Sequence, residues 1–194
     1  MTSDTPNSKV FPELETARLI LREITLNDSA WYMEQFNRPE IIAGSGHAGP
    51  KDLQAAREEM DRYIMGLFRK GLGFRWGLTL KARKGLIGSC GFYSWRKQEP
   101  SQAYIGYDLD PAYWNQGLMK EALSEIIRFG FEKMALDHIR CTIMPRNARS
   151  IALIERLGFK RTGIVREQKD ETGKLTDEIV FTLKKTEWST SNKS

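Results

Sequence analysis

The stretch Pro111–Leu123, PAYWNQGLMKEAL, sets a proline, two aromatic residues and a glycine directly ahead of a run of good helix formers. Pro111 has no N–H to give to a sheet ladder, so a strand must end before it, and Gly117 lets the backbone approach a ligand closely where the next helix begins. The first amides of that helix, those of Asn115, Gln116, Gly117, Leu118 and Met119, have no carbonyl one turn back to bond and sit at the positive end of the helix dipole. Such a turn can hold a phosphate group. Two familiar phosphate loops do not fit. A P-loop needs lysine and then Ser or Thr after its last glycine, whereas Leu118 and Met119 follow Gly117, and no G-x-G-x-x-G opens a helix. On spacing alone, a plain strand-to-helix turn explains the stretch equally well.

Other reactive side chains read more quietly. Asn147 follows Pro145 and precedes ARSIALIERLG, so it caps a helix that Gly158 ends, with Ser150 in the first turn. Cys90 and Cys141 lie in apolar, strand-like contexts and read as buried thiols. His47 and His138 are far apart in sequence and in no ligand-spaced motif, so no metal is expected. Tyr107 and Trp114 read as packing residues.

The chain that must position these groups has 194 residues, 40% apolar and 28% charged. That composition suits one soluble globular domain and excludes a membrane span. A net charge of +5 helps attract an anionic ligand but is too diffuse to indicate nucleic acid. The polar N-terminus lacks a signal-peptide layout, so a cytoplasmic location is expected. The polar ends, 1–13 and 187–194, read as flexible tails around a domain over 14–186.

Within it, RLILREI is a strand, and Asn27 or Asp28 caps a helix carrying Trp31, Met33 and Phe36. The glycine-rich gap AGSGHAG follows, and Pro50 then opens a longer helix with Leu53, Ala56, Met60, Ile64 and Leu67 on one face. FRWGLTL alternates as a half-buried strand, and LIGSCGFY and AYIGYDL complete an antiparallel meander. A helix from about Leu118 to Met134, the strand HIRCTIM, the Asn147 helix and the strand FKRTGIV form crossover units, and the turn KDETGK returns the chain antiparallel into DEIVFTL. The expected class is α/β of the mixed α+β kind: one domain whose sheet is antiparallel first and parallel across its middle, with helices on both faces.

IGYDLDPAYWNQGLMKEAL (Ile105–Leu123) and MPRNARSIALIERLGFKRTGIVRE (Met144–Glu167) together resemble the coenzyme A loop and the N-x-x-S…LGF…G…R segment of the GNAT superfamily of N-acetyltransferases. The likeness is to its Rim-type group, which acetylates protein N-termini, and it extends from about Arg18 to Lys184. It implies acetyl-coenzyme A as donor, a primary amine as acceptor, and direct attack without an acyl-enzyme. It also implies a sheet splayed in the middle, with the pantetheine arm lying in the gap. Leu109, with its neighbours Asp108 and Asp110, would then offer backbone groups to pantetheine and the thioester carbonyl, and the Gln116–Met119 amides would hold the pyrophosphate. The matching asparagine, Asn147, would contact pantetheine. Ser150 would sit near the departing thiolate, since the position of the superfamily's usual tyrosine acid reads Ile154 here. Met119 departs from the family's second small residue, and Tyr104 stands where a glutamate base often precedes IGY. Glu167, Asp170, Asp108 and Asp177 remain as carboxylates near the cleft, with Glu167 taken as the base.

Selectivity should lie in NRPEIIAGSGHAG, the long second helix and the loop SWRKQEPSQ, with Trp31, Trp76, Trp95 and Phe92 either shaping an apolar pocket or filling the core. Three functions stay open: an N-terminal protein acetyltransferase, an acetyltransferase of a small amine such as a polyamine, amino acid or antibiotic, and a non-catalytic binding module for acyl-coenzyme A or nucleic acid. The sequence is compatible with a homodimer.

Overall fold

The computed structural model describes residues 10–46, 48–169 and 175–191, with the side chains of 167–169 and 189–191 outside the description. The expectations for His47, Asp170 and the Glu167 side chain therefore lie outside the described residues. Eight strands form one sheet in the order β1-β2-β3-β4-β5-β6-β8-β7. They are β1 (Leu14–Glu15), β2 (Leu19–Glu23), β3 (Phe74–Leu80), β4 (Gly88–Arg96), β5 (Gln102–Leu109), β6 (His138–Ile143), β7 (Lys160–Lys169) and β8 (Leu175–Lys184). The helices are α1 (Ser29–Phe36), α2 (Pro39–Ser45), α3 (Leu53–Met60), α4 (Gly66–Arg69), α5 (Leu118–Glu132), α6 (Ala148–Arg156) and α7 (Lys185–Ser191). Among the described residues no helix is long and apolar enough to cross a membrane.

The two faces carry separate apolar clusters. Alternation on β3 sends Trp76 and Leu78, both fully buried, to the face where Leu123, Ile126 and Ile127 of α5 and Ile154 of α6 pack. Each such large side chain contributes about 1.5–3 kcal/mol on burial. A Cβ added at Gly77, between those two β3 residues, would instead meet Leu86 at 2.5 Å and Ile24 at 3.0 Å. These belong to the second cluster, with Tyr32 of α1 and Met60 of α3, so the two helix pairs cover opposite faces.

The sheet is antiparallel from β1 to β5, and β5 and β6 are the parallel pair. Their pairing is confined to Gln102↔His138, Ala103↔Ile139 and Tyr104↔Arg140, although β5 runs on to Leu109 and β6 to Ile143. Beyond Tyr104 the two strands part, which is the expected splay. β6 and β7 are not neighbours, because β8 lies between them and pairs antiparallel with both. Local patterning reads strand, helix, strand, but sheet order is set by the later β8 filling the gap.

Other elements differ from expectation. AGSGHAG is not all gap: Pro39 opens α2 at its first turn and Gly46, at φ +75°, ends it in the left-handed conformation that glycine tolerates. The long helix starts at Leu53, with the Asp52 side chain accepting from Ala55 N–H, and passes through a π turn at Asp61–Met65. Asp28 precedes α1, yet its carboxylate accepts from Thr25 N–H and from Arg22 rather than capping that helix. β3 is buried on both faces, Gly77 and Thr79 included. Pro12 and Trp188 both contact the domain: Trp76 Nε1 donates to Pro12 O at 2.5 Å, and Trp188 of α7 packs 6.2 Å from Phe131. Trp76 and Phe92 are core residues, not pocket walls.

Candidate active site

β5 ends at Leu109 and a single 3₁₀ turn, Pro111–Tyr113, carries the chain to α5. Asp110 shapes this turn. Its carboxylate accepts from Ala112 N–H at 2.9 Å and pairs with Arg38 at 3.2 Å, and its N–H goes to Ile87 O at 2.8 Å. Asn115 (φ +60°) and Gly117 (φ +75°) are both left-handed, a reversal that splays successive amides outward before Leu118 begins the helix. Among the described residues the N–H groups of Asn115 to Lys120 find no acceptor, and the first closed turn is Glu121 N–H to Gly117 O at 3.0 Å. The side chains of Leu118 and Met119 are buried, so these two residues offer only their amides. Methionine at 119 fills core beside the loop.

Cations surround the turn. Arg18 donates to Gln116 O at 2.9 Å and to Glu121 Oε2 at 2.7 Å, so the acidic residue in the first helical turn is neutralised. Burial alone would raise the Glu121 carboxyl, but Thr16 and the backbone and guanidinium of Arg18 hold it below its usual range. The Arg149 guanidinium lies 3.6 Å from the centre of the Trp114 ring, and Arg83 reaches Tyr113 OH at 3.2 Å.

The splay supplies the second half of the site. Because Asp110 N–H bonds Ile87 O, ladder alternation points the main-chain groups of Asp108 and Asp110 at β4 and those of Tyr107 and Leu109 into the gap. Ser101, in phase with the latter, accepts from Asp137 and His138 N–H on the β6 side. Trp114 Nε1 donates to Leu109 O at 2.8 Å, while the Leu109 N–H faces the gap and the main-chain groups of Asp108 and Asp110 face β4.

Across the gap, Asn147 Oδ1 accepts from Ser150 N–H at 3.1 Å, capping α6, while its Nδ2 donates to Gly44 O at 3.2 Å. The Ser150 hydroxyl is hydrogen-bonded to Tyr107 OH. Ile154 is fully buried in the core. On the opposite face Asp108 is buried, accepting from Gln35 Nε2 at 3.0 Å, Arg75 Nη2 at 2.7 Å and the Ser89 hydroxyl. Asp177 faces Arg166 at 3.9 Å. Burial pushes the Cys141 thiol up to about 12 and the Cys90 thiol up as well, which keeps both protonated and unreactive.

Three groups at the site escaped sequence reasoning. Tyr107 was assigned to packing, although strict alternation along AYIGYDL already turned it toward the same side as Leu109. Arg18 and Glu121 are separated by 103 positions, and no local pattern links them. The buried Arg75–Asp108 pair likewise needs the β3–β4–β5 register to be seen.

A strand parted from its parallel neighbour, followed at once by a helix start with free amides, leaves room for an extended chain beside β5 and a positive helix end beyond it. The sequence matches the family described as Acetyltransferase (GNAT) domain over residues 18–160. The chain belongs to the GNAT family. Its relatives include the N-acetyltransferase p20 of Bacillus licheniformis, 32% identical, with 91% of this chain and 98% of the relative covered. The [Ribosomal protein uS5]-alanine N-acetyltransferase of Escherichia coli K12 is 28% identical over 91% of this chain and 92% of its own length. Among solved structures, the spermidine N-acetyltransferase of Vibrio cholerae, in complex with CoA and spermine, superposes with a TM-score of 0.76 over 88% of this chain and 98% of that one. At 16% identity that likeness concerns the fold alone. The chain is thus a GNAT N-acetyltransferase of Rim-type relationship, and the donor of this family is acetyl-coenzyme A.

Proposed function

We propose that this GNAT enzyme moves an acetyl group from acetyl-coenzyme A directly to the α-amine of a protein N-terminus. The observation that carries the reading is the row of unbonded amides from Asn115 to Lys120 at the mouth of the β5–β6 splay. In this reading the amides of Gln116, Gly117, Leu118 and Met119 hold the diphosphate, with Asn115 setting the reversal and Arg18 anchoring the loop through Gln116 O. Leu109 N–H lies along the guest chain and stabilises negative charge on the thioester oxygen as it forms. Asn147 fixes the far wall, and the Ser150 hydroxyl protonates the leaving sulfur. Asp110 contributes indirectly, by shaping the turn.

The acceptor must shed a proton before it attacks. Asp108 is committed to Arg75 and Gln35, and of the remaining carboxylates, Glu167, Asp170 and Asp177, we assign Glu167 as base, acting directly or through water. With Tyr104 where a glutamate base is common, the identity of the amine matters. An α-amine ionises near 8 and a lysine-like amine near 10.4, a difference of about 3 kcal/mol in deprotonation cost. This favours the N-terminal acceptor, as does the alanine N-acetyltransferase among the relatives. A small amine such as a polyamine is the second reading. A thiol-release assay with acetyl-coenzyme A separates them: we expect higher kcat/KM on peptides with a free N-terminus than on spermidine or amino acids. The opposite ranking overturns the acceptor assignment.

A further inference from the structure

Tyr107 sits on β5 at the point where the strand has left β6, between Ile105 and Leu109. Its hydroxyl is bonded to Ser150 Oγ, and it can also donate to Ser150 O, a longer contact at 3.5 Å at the limit of a hydrogen bond. Ser150 is held from its other side as well, since its N–H is given to Asn147 Oδ1, and Asn147 in turn is tied through Nδ2 to Gly44 O at the end of α2. The serine thus ends a chain of fixed groups reaching from α2 to β5. Its hydroxyl can accept two hydrogen bonds but donates only one. If the serine donated to the phenol, its single proton would be pinned there. If the phenol donates, that proton is free to point elsewhere.

Chemistry favours the second arrangement, because a phenol is more acidic than an alcohol and is the better donor of the two. Burial, the largest influence on Tyr107, raises its pKa, so the phenol stays protonated throughout the range in which the enzyme works. The position one turn further along α6 is Ile154, fully buried and without a hydroxyl, so α6 itself supplies no second donor there.

We infer that Tyr107 is a positioning residue of the acetyl transfer: its phenol donates to Ser150 Oγ and turns the Ser150 proton toward the sulfur that leaves. This rests on the role given to Ser150 above. As the C–N bond forms, the C–S bond breaks and the sulfur keeps the electron pair. The sulfur takes the Ser150 proton, and the proton shed by the attacking nitrogen restores the hydroxyl. Tyr107 keeps its own proton throughout; from the neutral amine onward no proton is gained or lost, and the one the ammonium sheds before attack goes to the base.

The test is a double-variant cycle with Tyr107→Phe, Ser150→Ala and their combination, read as kcat, KM and calorimetric coenzyme A affinity. Tyr107→Phe keeps the ring and removes only the hydroxyl, so we expect kcat to fall about 10-fold with coenzyme affinity unchanged. Ser150→Ala should fall further, and the pair should fall no further than Ser150→Ala alone, because without Oγ the phenol has nothing to orient. Independently of turnover, the 13Cζ resonance of Tyr107 in tyrosine-labelled, ligand-free protein should shift in Ser150→Ala and keep its wild-type position in Ser150→Thr. Wild-type kcat in Tyr107→Phe, losses that multiply in the double variant, or an unmoved Cζ signal overturn the inference. If Ser150→Ala itself has wild-type kcat, the role of Ser150 is what has failed, and the inference falls with it.

Discussion

At the scale of single residues, the proposed diphosphate contact depends more on backbone than on side chains. Gly117 adopts φ +75°, and a Cβ there would lie 3.5 Å from Arg18 Nη2. There is room for a small side chain but a conformational cost of about 1 kcal/mol. Gly117→Ala should therefore fold with slightly reduced stability, whereas Gly117→Glu sets a carboxylate among the amides assigned to a diphosphate. We predict that Gly117→Glu, folded as judged by circular dichroism, loses measurable coenzyme A binding by calorimetry, and wild-type affinity would remove the loop from the site. Gly117, Asn147 and Ser150 were legible because each has a local signature: a glycine before a helical run, an asparagine cap, and a hydroxyl one turn on. Tyr107 carries no such signature. An aromatic residue in an alternating strand looks like core until the parting of β5 from β6 gives its hydroxyl somewhere to go.

At the scale of elements, the loop is held by a contact between the start of β2 and the first turn of α5. Arg18 bridges Gln116 O and the Glu121 carboxylate, and Thr16 adds a hydrogen bond at 2.6 Å. The folded protein holds Glu121 below its ordinary value of 4.5, so its contribution to stability is fully present above that value and is lost as pH falls through the folded-state value. Glu121→Gln should thus be less stable than wild type by about 1 kcal/mol at pH 7, and the gap should close in urea titrations below pH 4.5. A gap that persists at low pH would mean that the carboxylate charge is not what holds the loop. α5 and β3 were legible from periodicity, since their apolar positions recur at helical and strand spacing. α2 was hidden by its own composition, because Gly44 and Gly46 resemble a gap although Pro39 starts the helix and Gly46 stops it. The place of β8 between β6 and β7 was not legible at all, as hydrophobic patterning specifies which face of a strand is buried, not which strand lies beside it.

At the scale of the whole molecule, an antiparallel half and a parallel pair meet at a seam that closes only over Gln102–Tyr104. The seam opens toward the start of α5, so a guest chain laid along Tyr107 and Leu109, as we propose, would meet the Asn115–Met119 amides. α1 and α3 cover the other face, and α2 is tied to Asn147 at the start of α6. The family likeness was legible in two motifs far apart in sequence, and the sheet brings them to one seam. The most direct test is a 15N NMR titration comparing coenzyme A with pantetheine, which lacks the diphosphate. With coenzyme A the amide resonances of Gln116, Gly117, Leu118 and Met119 should show large shifts that pantetheine does not reproduce. Saturation with coenzyme A that leaves those four amides where they were would contradict the account.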